Sequence, residues 1–186
     1  VYDITMRIGS SCVRVAGLNG DVTHGDLDRA PTFEAAMRSS RDAMRDAGYD
    51  LAVAFGDEAF YCRNGFVLGW RALQWTVART DLPAGKLDLE SFDPAHRDDL
   101  AAIFNDTHDG LTGSARKPTY RANKHPGLFE GYSWPGGYVS VSNDKPLLWV
   151  DELAGDPDQC LQVLGQLAER WAVSYTHLTL PTSFLV

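Results

Sequence analysis

Two β-rich runs open the chain, Ile4–Ile8 and Cys12–Leu18, around a Gly9-Ser10-Ser11 hairpin signal. From Pro31 the apolar period changes to helical, with Phe33, Ala36, Met37, Ser40 and Met44 three or four residues apart. Pro31 suits a first helical position and Gly48 a stop just past the end. Leu51–Phe55 is a short apolar run of the kind buried on both faces of a sheet, and residues 57–63 predict a short helix. Phe66–Val77 reads as a strand, alternating in its later half, with Leu73, Trp75 and Val77 inward against Gln74 and Thr76.

Leu82-Pro83-Ala84-Gly85-Lys86 is polar and turn-rich, so a domain over 1–82 and a linker over 83–92 are expected, with a second domain over 93–172. Asp93-Pro94 reads as a cap and first-turn proline opening a helix with Leu100, Ile103 and Phe104 inward. Residues 106–137 read as a long loop. Tyr138–Val141 and Leu147–Leu153 read as strands around an Asn143-Asp144 turn. Asp156-Pro157 caps a last helix whose apolar side carries Cys160, Leu161, Val163, Leu164, Leu167, Ala168 and Trp171. The order of elements is that of a mixed α/β protein.

The two ends differ in character. Val1-Tyr2-Asp3-Ile4 starts without a methionine, and Val173–Thr182 resembles the in-frame translation of a sequencing adaptor. The chain is therefore expected to be a fragment whose residues 173–186 are an adaptor-derived scar that belongs outside fold reasoning, Tyr175 and His177 taking no functional role; an authentic edge strand is the alternative.

Net charge is −8, which disfavours phosphate-driven binding of nucleic acid and suits cationic partners such as amines. Cys12, Cys62 and Cys160 are scattered and odd in number, against a disulfide framework or a structural zinc and in favour of a reducing cytoplasm. No apolar run approaches membrane-spanning length, so no membrane partner is expected. Asn105-Asp106-Thr107-His108-Asp109 holds possible ligands at no recognised metal spacing, and Arg116-Lys117 with Arg121, Lys124 and His125 forms a basic cluster of the solvated kind.

The run Asp50–Phe66 is the most specific wording in the chain: an apolar strand, Gly56, a helix bearing Phe60-Tyr61, then Gly65-Phe66. It resembles the "FG…FY…GF" unit that closes the acetyl-coenzyme A cleft of GNAT-family N-acetyltransferases. Val13–Leu18 with Gly20, and Val22-Thr23-His24, are similar to the preceding strand of that family. Helix 94–105, Thr112–Arg116, Leu148–Leu153 and Asp156–Trp171 are similar to the next domain of its tandem members, the enhanced intracellular survival type.

The resemblance implies a mixed sheet flanked by helices, followed by part of a second such domain. It implies acetyl transfer from acetyl-CoA to an amine by direct attack, with Tyr61 protonating the leaving thiolate. Asp21, Val22 and Thr23, with the loop Arg29, Ala30, Pro31 and Thr32, would hold the donor, the loop through backbone N–H groups against its pyrophosphate. The acceptor would be a small amine or a protein amine, and the full-length protein a possible homo-oligomer. The loop departs from the family wording: Asp28 stands for Arg or Gln, Pro31 for the first glycine and Phe33 for the second small residue, with Arg29 restoring positive charge one position along. Asp28 and Pro31 favour the alternative of a GNAT-fold binding or regulatory module without catalysis.

Overall fold

The opening runs fold as a hairpin in the computed structural model, which describes residues 2–18, 29–54, 58–69, 73–92, 99–118, 130–144 and 147–180. Strand β1 (Tyr2–Ile8) pairs antiparallel with β2 (Ser11–Leu18), with Ile8 opposite Ser11. Gly9 has φ +58°, the left-handed conformation that glycine tolerates and other residues rarely adopt. Helix α1 (Arg29–Asp46) follows, and β3 (Leu51–Ala54) returns parallel to β2, as a crossover through a helix requires. The Asp50 carboxylate accepts the Arg14 N–H at 2.8 Å while the Asp50 N–H donates to the Arg14 carbonyl, fixing where β3 starts. Helix α2 (Glu58–Arg63) comes next.

Met37 and Met44 are buried, as their spacing on α1 predicts, whereas Ala36 is exposed. The helix begins at Arg29, so Pro31 is its third residue, still within the first turn where a missing N–H breaks no helical bond. At the other end Gly48 has φ +74° and donates to the Arg45 carbonyl, and Tyr49 donates to that of Met44, the paired closure of a Schellman motif. β3 is not buried on both faces. Among the described residues it lies at the edge of a sheet ordered β3-β2-β1-β6, with a strand neighbour on one side only, and Leu51 is 46% exposed. The fourth strand of that sheet is β6 (Ala115–Arg116), two residues of the expected loop that pair antiparallel with β1.

A second compact unit runs from β4 (Leu73–Ala78) onward, apart from residues 111–116. A short 3-10 turn (Arg79–Asp81) leads to β5 (Glu90–Phe92), α3 (Asp99–His108), β7 (Glu130–Trp134), β8 (Gly137–Asp144), β9 (Leu147–Ala154), α4 (Pro157–Arg170) and β10 (Tyr175–Leu180). The six strands form one sheet in the order β4-β10-β9-β8-β7-β5. All neighbours are antiparallel except β9 and β10.

Alternation places Tyr132, Trp134, Val139, Val141, Leu148 and Val150 against Cys160, Val163, Leu164, Leu167 and Ala168 of α4. Tyr138 and Ala154 pack instead with Leu100 and Ala101 of α3, joined by the half-buried Phe92, Ile103 and Phe104. The inward set expected on α3 is therefore correct, while its expected opening at Asp93-Pro94 lies outside the described residues.

On α4, Asp156 caps as expected, accepting the N–H groups of Asp158 and Gln159 at 3.1 Å. Leu161 is 44% exposed, off the apolar face to which the spacing assigned it. Trp75, expected inward on β4, is 54% exposed on an edge strand.

Within residues 83–92 the chain is held against α4. The Gln166 side chain accepts the Leu87 N–H at 2.9 Å and donates to the Leu87 carbonyl at 3.1 Å, and Leu87 and Leu89 pack on the core. Tyr175–Leu180, within the adaptor-like stretch, occupies the interior position between β4 and β9, with Thr176 fully buried. No helix among the described residues is long and apolar enough to cross a membrane.

Candidate active site

Tyr61 is the third-last residue of α2 and is buried, with 8% of its surface exposed. The Phe60 ring meets its ring edge-on at 5.2 Å and the Phe66 ring at 5.5 Å. Such edge contacts fix the orientation of a ring as well as its depth. The backbone beneath is closed just as firmly. Gly65, at φ +85°, donates to the Cys62 carbonyl, and Phe66 donates to the Tyr61 carbonyl, a second Schellman motif. The aromatic contact of Tyr61 with Phe66 is the apolar contact that accompanies this motif.

Asn64 is the buried C-cap residue of α2. Its N–H donates to the Tyr61 carbonyl and its side-chain amide to the Phe60 carbonyl at 3.0 Å. The Asn64 carbonyl in turn accepts from Nη1 of Arg41 at 2.6 Å, so α1 reaches across to the end of α2. Helix ends leave their last carbonyls unpaired unless something outside the helix supplies donors. At α2 the donors come from Asn64, Gly65, Phe66 and Arg41. Asn64 and Arg41 escaped the sequence reading, although an Asn-Gly pair closing a helix is itself a C-cap signal.

The other expected site residues divide into two groups. Asp21, Val22 and Thr23, along with His24 and Asp28, lie outside the described residues. Arg29, Ala30, Pro31 and Thr32 form the first turn of α1, which contains no acidic residue; their side chains lie outside the described residues. The start of a long helix presents unpaired N–H groups and the positive end of its dipole, an arrangement suited to an anion.

Cys62, adjacent to Tyr61, is exposed. Cys12 is also exposed, while Cys160 is buried on the inner face of α4, where desolvation and then Asp156 push its thiol up to about 11. A thiol reagent at neutral pH is accordingly expected to modify Cys12 and Cys62 in the folded protein and Cys160 only after unfolding. Mass spectrometry of each labelled peptide checks this; fast labelling at Cys160 would contradict it.

The ligand-bearing run at 105–109 serves the fold: the Asn105 side chain makes two 2.8 Å hydrogen bonds with the Lys117 backbone, and the His108 ring stacks on Phe104. Lys117 pairs with Glu152 and lies over the Phe104 ring, so it is not part of a free basic patch; Arg121, Lys124 and His125 lie outside the described residues.

Solved structures share the fold over nearly the whole length of this chain. A GCN5-related N-acetyltransferase from Anabaena variabilis ATCC 29413 superposes with a TM-score of 0.78 at 10% identity, covering 96% of this chain and 51% of its own. A probable N-acyltransferase of unknown function from Enterococcus faecalis V583 gives 0.74 at 14% identity, covering 95% and 50%. Eis1 from Mycobacterium abscessus gives 0.66 at 17% identity, covering 96% and 51%. The chain has the GNAT fold. It spans about half the length of each of these GNAT-fold structures. No protein-family model and no curated protein matches the sequence. At these identities the likeness concerns the fold: helix-flanked mixed sheets, in agreement with the α/β class expected from the pattern of elements.

Proposed function

We propose that this chain belongs to the GNAT family and is part of an N-acetyltransferase that passes an acetyl group from acetyl-CoA to an amine. The observation that carries this reading is Tyr61: a buried tyrosine on the short helix after β3, oriented by two aromatic edges and a fully closed helix end. A tyrosine hydroxyl can give a proton to a thiolate leaving group as the carbon–sulfur bond breaks. The donor brings the thioester and the acceptor brings the nitrogen lone pair, so no nucleophile on the protein is required.

Asp21, Val22 and Thr23 would lie along the donor, and Arg29, Ala30, Pro31 and Thr32 would meet its pyrophosphate. The absence of an acidic residue from the first turn of α1 fits that role, and Arg29 adds a positive charge. Pro31 supplies no N–H, leaving the contact to its neighbours. That same residue, within the first helical turn, favours a second reading, a GNAT-fold module that has lost catalysis. The acceptor is proposed to be a small or protein amine, and the acidic net charge of −8 suits a cationic one. A cytoplasmic location is proposed from the three unpaired cysteines.

Isothermal titration with acetyl-CoA separates binding from its absence. Saturable heat at micromolar to millimolar donor is expected, and none at millimolar donor would overturn the catalytic reading. Binding without thiol release in the presence of amines would favour the non-catalytic module.

A further inference from the structure

We propose that Arg41 is a positioning residue for Tyr61, a strut that ties the helix whose first turn would receive the donor's phosphates to the helix that carries the acid. The inference rests on the role proposed for Tyr61, and its test separates the two. Arg41 lies in the second half of α1, four residues after the buried Met37 and three before the buried Met44, so its half-buried stem follows the inward side of that helix. A charged residue there needs a partner for its head group. It has one: Nη1 meets the Asn64 carbonyl at 2.6 Å, and that carbonyl belongs to the residue that closes α2.

A second feature points to the same contact. A Cβ placed on Gly65 would stand 2.6 Å from Arg41 Nη1, and Gly65 is also at φ +85°. Glycine at 65 therefore turns the chain and leaves room for the guanidinium. A cation at a helix C-terminus is favoured by the helix dipole and supplies a donor to a carbonyl that has lost its intrahelical partner. The Asn64 N–H and the Phe66 N–H both end on the Tyr61 carbonyl, so movement of Asn64 is passed directly to the acid. Donor phosphates held at the start of α1 and an acid registered against its second half would keep the two ends of the donor at a constant separation.

The test uses Arg41→Met, which keeps the apolar stem and removes the donor, and Arg41→Lys, which restores one donor. With acetyl-CoA as donor and spermine as probe amine, Arg41→Met is expected to lower kcat about tenfold and to leave KM for acetyl-CoA within about twofold, since small misplacement of a reacting group costs rate more than binding. Arg41→Lys is expected to recover kcat to within about threefold of the parent. In parallel, ring-labelled tyrosine NMR reads the Tyr61–Phe66 contact, which should weaken in Arg41→Met and persist in Arg41→Lys.

An Arg41→Met protein with the ring contact and kcat of the parent overturns the inference. So does a loss in Arg41→Met that Arg41→Lys does not repair, which would mark a packing defect. If Tyr61→Phe retains parental kcat, the acid role fails, while the NMR measurement still decides whether Arg41 sets the ring.

Discussion

Replacing Tyr61 by phenylalanine is expected to lower kcat for acetyl transfer by about 10²-fold or more, the range of a positioned general acid. KM for acetyl-CoA should stay within about twofold, because the hydroxyl assists departure of the thiolate and not capture of the donor. The ring itself should remain in place. Its edge contacts with Phe60 and Phe66 and the hydrogen bonds to the Tyr61 carbonyl depend on carbon and backbone atoms that the substitution keeps. Loss of the hydroxyl should therefore move stability by only about 1 kcal/mol. Steady-state kinetics with a thermal melt on the same sample distinguishes the outcomes. An unchanged kcat would remove Tyr61 from the mechanism, and loss of both folding and rate would make it a core residue.

The largest effect on stability is expected at Trp134. Its indole is buried among Tyr132, Val139 and residues of α4, and the ring N–H donates to Oε1 of Gln159 at 3.0 Å. The ring lies so close over Gly137 that a Cβ there would collide with it, and it also approaches Gly155. Two backbone segments have thus come close around one side chain, and neither can swell to fill the space it would leave. Trp134→Ala should cost about 3–5 kcal/mol, with Gln159 losing its partner as an added term. Trp134→Phe, which keeps most of the volume, should cost appreciably less. Urea denaturation followed by circular dichroism reads both; a loss under about 1 kcal/mol for Trp134→Ala would show that the site relaxes around the deletion.

What could be read from the sequence divides along physical lines. α2 and α4 were legible because their boundaries are written in local chemistry: Gly65 after the Phe-Tyr helix, Asp156-Pro157 before the amphipathic one. β7 was hidden because Gly131, Ser133 and the following Pro135 look like loop residues. Gly131 is there to admit the Phe92 ring, a tertiary demand with no local signature. The turn between β8 and β9 was placed too early because Asn143 and Asp144 read as turn residues, whereas both belong to β8. Trp75 was assigned inward by alternation alone, and alternation does not say how far cover extends over an edge strand.

At the candidate site, Tyr61 could be nominated from a motif. Arg41 could not, because its partner, the Asn64 carbonyl, is backbone and identical in every sequence. Residues 83–92 likewise read as a linker from composition, and only the Gln166 side chain shows why Leu87 is held.

The order of strands in the larger sheet also sets a timetable. Among the described residues β4 has one neighbour, β10, and the hydrogen bond from Thr176 to the Val77 carbonyl joins positions 99 apart. On a ribosome, β4 must leave the exit tunnel and wait while α3, the five strands β5 to β9 and α4 are made before its hydrogen-bonding partner exists. Contacts of such long range are slow to form, since the intervening loop must be closed before any ladder compensates it. A strand that waits with both edges open, carrying Trp75 and Val77, is the stretch on which a nascent chain most needs protection from its neighbours.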